Sequence, residues 1–290
     1  MRVIMLRFPH LAEQILQKLD NKGLVKSREV QRSWQKFIDQ RDYPWIRIVN
    51  IPAILSKGNK YLHLAAEYGQ IHAFEMILNE DSDINLKNYL GQTPFLIACS
   101  KGRGNIVLLL LKIAEMIFDN SYNLKIDLNT KDEGGATAFH YACLAGHSEI
   151  VEMIINISSK LKIELSTGDN SDITAFQMAC NNGHIGIVKL MLENSSGLQI
   201  DWNRKIFTKT GFQLACLKGH LKIAEMMINK SADLKIDLNT KDQDGHTAFH
   251  LACMGGDLEI ERSNCTRIVE MLIDQSEYHK IDVTTKDDIG

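Results

Sequence analysis

This chain is poor in proline, tryptophan and cysteine, and its cysteines are not placed as a disulfide framework would place them. Four prolines, three tryptophans and six cysteines occur in 290 residues, and all six cysteines follow residue 98. Five of them follow an alanine in the same local context, at Cys99, Cys143, Cys180, Cys216 and Cys253. Regular spacing of one dipeptide indicates repeated structure and not paired cysteines.

No apolar run in the sequence is long enough to cross a bilayer. The strongest run, residues 105–118, is broken by Lys112 and Glu115 and falls well short of the ~20 apolar residues that a spanning helix needs. The apolar run at the amino terminus is short and is interrupted by Arg7, unlike that of a secretory signal. We therefore expect an intracellular protein, in the cytoplasm, the nucleus or both, with no membrane partner.

Excess positive charge is also missing, since the formal net charge is -3. The first 50 residues carry ten Lys/Arg and five Asp/Glu, whereas the remaining 240 carry 23 and 31. This asymmetry indicates two segments with different roles. The sequence has no basic stripe with interleaved aromatic residues, so nucleic acid is not an expected partner.

Catalytic motifs are absent as well, since the chain has no G-x-S-x-G, no phosphate-binding loop and no H-E-x-x-H. Cysteines spaced by whole repeats would lie too far apart to share the ~2.3 Å bonds of a zinc site. Cys265 alone departs from the regular spacing, and we interpret it as an inert, exposed thiol in a polar loop. We expect no enzyme, no metal and no cofactor, and a nucleophilic Cys265 is the enzymatic alternative.

The chain does contain a repeated hexamer that begins with threonine. Clear copies start at Thr93, Thr137, Thr174, Thr210 and Thr247, in steps of 44, 37, 36 and 37 residues, and residues 60–65 form a weaker copy. Each copy predicts the start of a short helix that ends at a glycine, where a left-handed backbone conformation stops the helix. A second apolar helix and a polar connector follow, so one unit is helix, turn, helix and connector.

This unit resembles the ankyrin repeat, whose signature is T-P-L-H-x-A and whose length is about 33 residues. The resemblance implies an all-α solenoid with short β-hairpin connectors. Alanine or glycine replaces the proline in most copies, and Gln177 and Gln213 replace the histidine. In ankyrin repeats this histidine ties neighbouring loops together, which is the role that we expect for His63, His140 and His250. Six repeats are predicted, numbered here 1 to 6, at residues 58–90, 91–134, 135–171, 172–207, 208–244 and 245–290.

An identical nonapeptide, LKIDLNTKD, occurs at residues 124–132 and 234–242. Its acidic residues resemble those of a calcium loop. Counting from Asp127, however, Lys131 stands at position 5 and Asp132 replaces the glycine of position 6. Related sequences hold the same place in other repeats, so we predict that the nonapeptide is the hairpin connector and not a metal site.

Two repeats carry insertions. Repeat 2 has seven extra residues, close to two helical turns, which are predicted to lengthen its second helix with Ile106, Leu110, Ile113 and Ile117 on one face. Repeat 6 has eight extra residues, LEIERSNC, which we predict as a loop because they are polar. The chain stops at Gly290, where a seventh repeat would begin, so one expectation is that it is a fragment.

Residues 1–50 lie outside the repeats and predict a small helical domain. An order that resembles the F-box is followed by Phe8-Pro9, Ile15-Leu16, Leu19, Asp20, Leu24, Arg28, Val30, Trp34 and Trp45. Phe8 stands in place of the usual leucine, and Gln31 in place of a frequent cysteine. An F-box docks on the Skp-type linker of a cullin-RING ubiquitin ligase. The resemblance places at its docking and helix-packing positions Pro9, Ile15, Leu16, Leu24, Val30 and Trp34.

Together the two resemblances imply a non-enzymatic adaptor, in which the F-box-like domain docks on the linker and the repeats bind a target protein. Residues 51–57 form a short apolar connector, which predicts a rigid junction between these parts. The alternative is an ankyrin scaffold unrelated to ubiquitin, in which the amino-terminal helices only cap repeat 1.

The surface predicted to bind the target follows from where ankyrin proteins usually bind, at the hairpin tips and on the concave face of the first helices. Aromatic and aliphatic anchors among polar neighbours suit such a surface. The alternative for any one of these side chains is packing between adjacent hairpins. The predicted residues are Tyr89, Leu90, Lys101, Glu133, Leu144, Asn181, Asn182, Phe207, Lys209, Lys218, Gln243, Asp244, His246 and Met254.

Overall fold

The computed structural model describes residues 61–78, 83–119, 126–206, 208–255 and 259–287. The predicted F-box-like domain and the connector at residues 51–57 lie outside these ranges. The chain divides into two compact units, residues 1–133 and residues 134–290. We describe each unit by itself.

Unit 1 contains two helix pairs among its described residues. The first pair is α1 (Tyr61–Tyr68) and α2 (Ile71–Ile77), and the second is α3 (Pro94–Ser100) and α4 (Gly104–Asp119). The first helices α1 and α3 pack on each other, and so do the second helices α2 and α4. Neighbouring pairs therefore stack in register, as a repeat requires.

The described residues of unit 2 form four successive helix pairs. Their first helices are α5 (Ala138–Ala145), α7 (Ala175–Asn181), α10 (Gly211–Leu217) and α13 (Ala248–Met254). Their second helices are α6 (Ser148–Leu161), α8 (Ile185–Glu193), α11 (Leu221–Asn229) and α14 (Glu259–Asp274). One-turn helices follow three of these, namely α9 (Ser195–Leu198), α12 (Ser231–Leu234) and α15 (Ser276–His279). First helices pack on first helices and second helices on second helices, so unit 2 has two helical layers.

The predicted all-α class is confirmed across the described ranges, where β structure consists of two isolated antiparallel bridges, Gly168–Thr174 and Ile206–Lys209. The connectors are turns organised by a side chain. Asp169 Oδ1 accepts hydrogen bonds from the backbone amides of Ser171 and Ile173 at 2.8 and 2.9 Å. Such a carboxylate accepts hydrogen bonds from backbone amides that would otherwise have no partner in the turn.

The threonine that opens each hexamer is a helix cap. Thr174 has an extended backbone, its Oγ1 accepts the Gln177 amide at 3.3 Å, and Gln177 Oε1 accepts the Thr174 amide at 3.0 Å. This reciprocal capping box satisfies two amides that a helix start leaves without partners, and such a cap is worth about 1 kcal/mol. The hexamer is therefore a helix-start signal in physical terms.

The regularly spaced cysteines are core residues, with one exception. Cys99, Cys143, Cys180 and Cys216 are all buried. Cys253 in α13 is the exception, since it is exposed. Its counterparts in repeats 3 to 5 are covered by the following repeat, and no described residue covers that side of α13.

The two insertions have the same structural result, a longer second helix. α4 has 16 residues, whereas α6 has 14 and α8 and α11 have nine each, so the predicted extension in repeat 2 is confirmed in part, since α4 is two residues longer than α6. The loop predicted in repeat 6 is wrong, because α14 includes the insertion from Glu259 onward. Cys265 is 2% exposed and its Sγ lies 3.6 Å from the carbonyl oxygen of Cys216, so the thiol predicted to be exposed is buried. An apolar spacing of Cys265, Ile268 and Leu272 along α14 explains why this segment is helical.

Candidate protein-binding surface

The predicted binding residues at the ends of the first helices are largely accessible. Leu144 is 46% and Met254 64% exposed. Asn182 is also exposed, whereas Asn181 and Lys218 are half-buried. Exposed aliphatic side chains at equivalent places on parallel helices provide the apolar part of a binding surface.

Three further side chains on this surface were missed by the sequence analysis. Tyr141, Met178 and Leu214 stand at the fifth hexamer position and are half-buried. They precede the exposed positions by three residues, and residues spaced i, i+3 share one helix face. That spacing was the available signal. We define the apolar row as Tyr141, Leu144, Met178, Leu214, Leu217 and Met254.

The ends of the first helices in unit 2 are tied together by hydrogen bonds between repeats. His184 Nε2 lies 3.0 Å from the carbonyl oxygen of Leu144, and Asn182 Nδ2 donates to the same oxygen at 3.0 Å. His220 Nε2 lies 2.9 Å from the carbonyl oxygen of Asn181. The apolar row is therefore held by rigid supports, and this limits the entropy that binding would cost.

In these ties a glycine lies beneath the histidine. Gly146 has φ 80°, a left-handed conformation that ends α5. A Cβ on Gly146 would lie 2.6 Å from His184 Cε1, too close for any side chain. Glycine is needed here for two independent reasons, its backbone angle and the neighbouring ring.

The fourth hexamer position joins neighbouring connectors, as predicted, at His63 and His140, whereas the contacts of His250 are with Thr247 of its own hexamer. His63 Nε2 lies 3.1 Å from the carbonyl oxygen of Gln92, and His140 Nε2 lies 3.1 Å from that of Ile173. Gln213 does the same with its amide, since Nε2 donates to Thr240 O at 2.8 Å. Glutamine therefore replaces histidine without loss of the tie.

Packing against the preceding repeat explains why glycine replaces proline at Gly211, the second position of its hexamer. A Cβ on Gly211 would lie 2.7 Å from Phe176 Cε1 and 3.2 Å from Cys180 Sγ, both in the preceding repeat. The Phe176 ring also makes an edge-to-face contact with Trp202, with centroids 4.8 Å apart. Only the smallest residue fits where this aromatic pair packs.

Two of the predicted binding residues, Lys209 and His246, instead contact Asp242 in the connector of repeat 5. The Asp242 side chain is fully buried, and Lys209 Nζ lies 3.0 Å from its Oδ2. Asp242 Oδ1 accepts the amides of Asp244 and His246 at 3.0 and 2.9 Å. Burial raises the pKa of Asp242, but the Lys209 ammonium and the two amides outweigh it and hold the pKa below its usual value.

His246 lies between two carboxylates, with Nδ1 3.6 Å from Asp242 Oδ1 and Nε2 3.6 Å from Asp287 Oδ2. Asp242, Asp244 and His246 place possible metal-ligand atoms within 4.8 Å of one another. The Lys209 ammonium already neutralises the buried carboxylate, and the backbone amides use its other oxygen. This cluster is therefore a turn scaffold, and among the three only Asp244 is exposed.

The remaining predicted positions are distributed over both units. In unit 1, Tyr89 and Leu90 are 58% and 44% exposed, and Lys101 and Glu133 are also exposed. In unit 2, Gln243 is exposed beside Asp244. Phe207 lies outside the described residues.

None of the cysteine thiols whose pKa is shifted is activated as a nucleophile. Burial raises the pKa of Cys99, Cys180 and Cys216 far above the usual range. Partial burial also raises the pKa of the exposed Cys253. A raised pKa disfavours the reactive thiolate at neutral pH.

Within the described ranges, no helix is both long enough and apolar enough to span a membrane. A family model described as "Ankyrin repeats (3 copies)" matches residues 62–164, 158–238 and 176–287. These matches overlap and together extend from residue 62 to residue 287.

Curated relatives match shorter segments. A probable E3 ubiquitin-protein ligase of Oryza sativa subsp. japonica, XBOS32, is 34% identical over 90 residues, which are 31% of this chain and 16% of that protein. The E3 ubiquitin-protein ligase XBAT33 of Arabidopsis thaliana is 30% identical over 93 residues, 32% of this chain and 16% of that protein. The human transient receptor potential cation channel subfamily A member 1 is 34% identical over 91 residues, 30% of this chain and 7% of the channel. The matched segment thus spans about a sixth or less of each relative.

A solved structure shares the fold. One chain from the complex of the Bdellovibrio bacteriovorus predatory endopeptidase Bd0816 with the immunity protein Bd3460 aligns over 99% of its length with 74% of this chain. The TM-score is 0.56 and the sequence identity is 22%.

Proposed function

We propose, since this chain belongs to the ankyrin-repeat family, that it is a non-enzymatic adaptor that recruits a target protein to a cullin-RING ubiquitin ligase. The repeats bind the target, and the F-box-like domain of residues 1–50 docks on the Skp-type linker. The target-binding part rests on the apolar row of unit 2, and the docking part rests on the sequence pattern from Phe8 to Trp45.

The observation that carries target binding is the exposure of Leu144 and Met254 on first helices of the same layer. Core residues of this fold are otherwise well covered, as shown by Phe139, Phe176 and Phe212, which are 1 to 2% exposed. Large apolar side chains left exposed beside a rigid, tied backbone supply binding energy when a partner removes them from water. The row therefore fits a protein surface better than a small polar ligand.

The ligase part is favoured by two independent considerations. The order Pro9, Ile15, Leu16, Leu24, Val30, Trp34 resembles the F-box across about forty residues. Two relatives bear the name E3 ubiquitin-protein ligase. The shared segments are about a third of this chain, so they favour a ligase context without assigning the docking domain.

Co-purification with a Skp-type linker protein tests the docking part. The full chain should retain the linker, and the double variant Pro9→Ala with Leu16→Ala should lose it, because both changes remove apolar surface from the docking helix. Leu144→Asp is a matched control that should retain the linker. An unmodified chain that fails to bind, or a double variant that binds equally well, would falsify ligase docking.

The second candidate is an ankyrin scaffold unrelated to ubiquitin, whose amino-terminal helices cap repeat 1. The match to a cation channel favours it, since that protein is similar to this chain over a segment of nearly the same length, 91 residues. Under this alternative, deletion of residues 1–50 lowers the stability of repeat 1. Ubiquitin-dependent turnover of a bound partner would be unchanged by the deletion.

A further inference from the structure

The second helix of repeat 2 extends past its neighbour in repeat 1. α2 and α4 begin two residues after the turn glycines Gly69 and Gly102, but α2 has seven residues and α4 has 16. The difference, 16 minus 7, leaves nine residues of α4 beyond the level at which α2 ends. At 1.5 Å per residue these nine residues are ~13 Å long.

One edge of this extension faces repeat 1. In unit 2, Leu192, Ile228 and Ile273 hold equivalent positions, and they are 4%, 0% and 49% exposed. The first two are covered by a following repeat, so this position faces the carboxyl-terminal side of its own repeat. Leu111 holds the position in α4. Met116 lies about 140° around the helix from Leu111 and therefore faces the side of repeat 1.

The side chains on this edge are apolar and only partly covered. Ile113 and Ile117 are half-buried, and Met116 is 56% exposed. We define the α4 ledge as Ile113, Met116 and Ile117. α2, the second helix of repeat 1, ends at Ile77 and does not reach the level of the ledge.

The chain enters unit 1 at the same end. His63 Nε2 contacts the carbonyl oxygen of Gln92 at 3.1 Å, so the start of α1 lies beside the start of α3. α3 and α4 form a hairpin joined by the short turn at residues 101–103, so the end of α4 lies near the start of α3. Tyr61, the first residue of α1, therefore lies at the end toward which the ledge extends.

We propose that the α4 ledge is the docking surface of residues 51–57, which lie outside the described residues. This segment reads Ile-Pro-Ala-Ile-Leu-Ser-Lys, with Ile51, Ile54 and Leu55 as its large apolar residues. The ten residues from 51 to 60 span up to ~35 Å when extended, more than twice the length of the ledge, so the segment reaches it. Docking removes apolar surface from water on both sides.

The consequence is a fixed junction, within unit 1, between residues 1–50 and the repeats. α4, in the repeat that carries the seven-residue insertion, then has a specific role, which is to hold the preceding chain. This inference goes beyond ligase recruitment and does not depend on it, since either an F-box or a simple cap would be held in the same way.

Disulfide trapping in the full chain tests the contact directly. On a Cys253→Ala background, the pair Ile54→Cys and Met116→Cys should form an intramolecular disulfide under mild oxidation. The matched control pairs Ile54→Cys with Leu108→Cys, which is 41% exposed on α4 but about 80° further from the ledge edge. Tethering at the ledge raises the local thiol concentration, so we expect about a tenfold higher yield than in the control.

Equal yields for the two pairs would overturn the proposal, and so would exclusively intermolecular products, which would show that a second copy covers the ledge. Hydrogen exchange gives a second measurement. Met116→Asp should increase amide exchange of residues 51–57 by about tenfold while Leu108→Asp leaves it unchanged. Unchanged exchange in both variants rejects docking. Neither measurement uses a Skp-type protein, so failure here is distinct from failure of ligase docking.

Discussion

His184 lies over Gly146, with its Cε1 2.6 Å from the place where a Cβ on that glycine would be. The ring also reaches the carbonyl oxygen of Leu144 at 3.0 Å. Two neighbouring repeats are thus joined through a residue that must have no side chain.

Gly146→Ala should therefore lower the free energy of unfolding by about 1–3 kcal/mol, because it adds both a left-handed strain and a clash. Urea denaturation monitored by circular dichroism measures this difference. Gly186→Ala is the matched control, since a Cβ there meets only Ser148 Cβ at 3.8 Å and should be neutral or slightly stabilising. Equal stability of the two variants would contradict the assignment.

The Gln213 side chain is 1% exposed and makes the hydrogen bonds that histidine makes elsewhere. Gln213→Ala should destabilise unit 2 by about 1–3 kcal/mol, because it leaves buried polar groups without partners. Gln213→His should retain most of the stability, since His140 makes the corresponding contacts in repeat 3. Thermal denaturation of the two variants separates these outcomes, and a histidine variant as unstable as the alanine variant would be evidence against equivalence.

The Asp242 carboxylate makes stability depend on acid pH. Its pKa is lower in the folded chain than its ordinary value of 3.8, so the charged form stabilises the fold above that pH. This contribution is lost as the pH falls below 3.8 through the lowered pKa. Denaturation between pH 2 and pH 6, chosen to span roughly the carboxyl range, measures the loss.

Lys209→Met removes the cation beside that carboxylate. The pKa of Asp242 should rise, so that the acid-induced loss begins at higher pH, and stability at neutral pH should fall by roughly 2 kcal/mol because a buried charge loses its partner. Lys222→Met is the control, since Lys222 and Glu225 form an exposed pair at 2.9 Å that contributes little. Identical acid transitions in the Lys209 variant and the unmodified chain would count against the ion pair.

Thiol labelling distinguishes the cysteines. In the native chain, iodoacetamide should modify Cys253 first, because it alone among the six is exposed. Its raised pKa should slow the reaction relative to a thiol of ordinary acidity. Mass spectrometry identifies the modified residue, and labelling in guanidinium chloride gives the reference for all six. Fast native labelling of Cys265 would show that the α14 insertion is open.

The apolar row can be tested for target binding. Met254→Asp should weaken binding of a ubiquitin-dependent target by at least about tenfold, because a charge replaces an exposed apolar anchor. Ile185→Asp serves as the control, since Ile185 is 47% exposed on the second helix α8 and outside the row. Titration of the purified chains against that target measures both affinities. Equal losses in the two variants would argue against a specific row.

Local signals made much of this fold predictable from sequence. The threonine caps, the helix-ending glycines and the lengthened α4 all depend on residues within one or two turns of each other, so spacing alone identifies them. The insertion in repeat 6 was mistaken for a loop because its polar composition outweighed the apolar spacing of Cys265, Ile268 and Leu272. Composition describes which residues face water, whereas spacing decides whether one face can be buried.

The candidate site was less predictable because its geometry joins distant parts of the chain. The shared position of Leu144 and Met254 within the repeat was enough to place them at exposed helix ends. The burial of Lys209 against Asp242 could not, since it depends on how two connectors 33 residues apart pack together. Residues predicted to bind a partner therefore include both exposed side chains and a member of a structural ion pair, and only packing separates them.

The ties that run from His184 to Leu144 and from His220 to Asn181 also determine how unit 2 responds to mechanical force. Each tie links one repeat to its immediate neighbour, so the interfaces lie in series, bear the same force when the two ends are pulled, and can separate one at a time. Extension should then occur in discrete steps, each releasing one unit of 36 or 37 residues, or roughly 120–130 Å of extended chain. Unit 2 would then lengthen one repeat at a time under force.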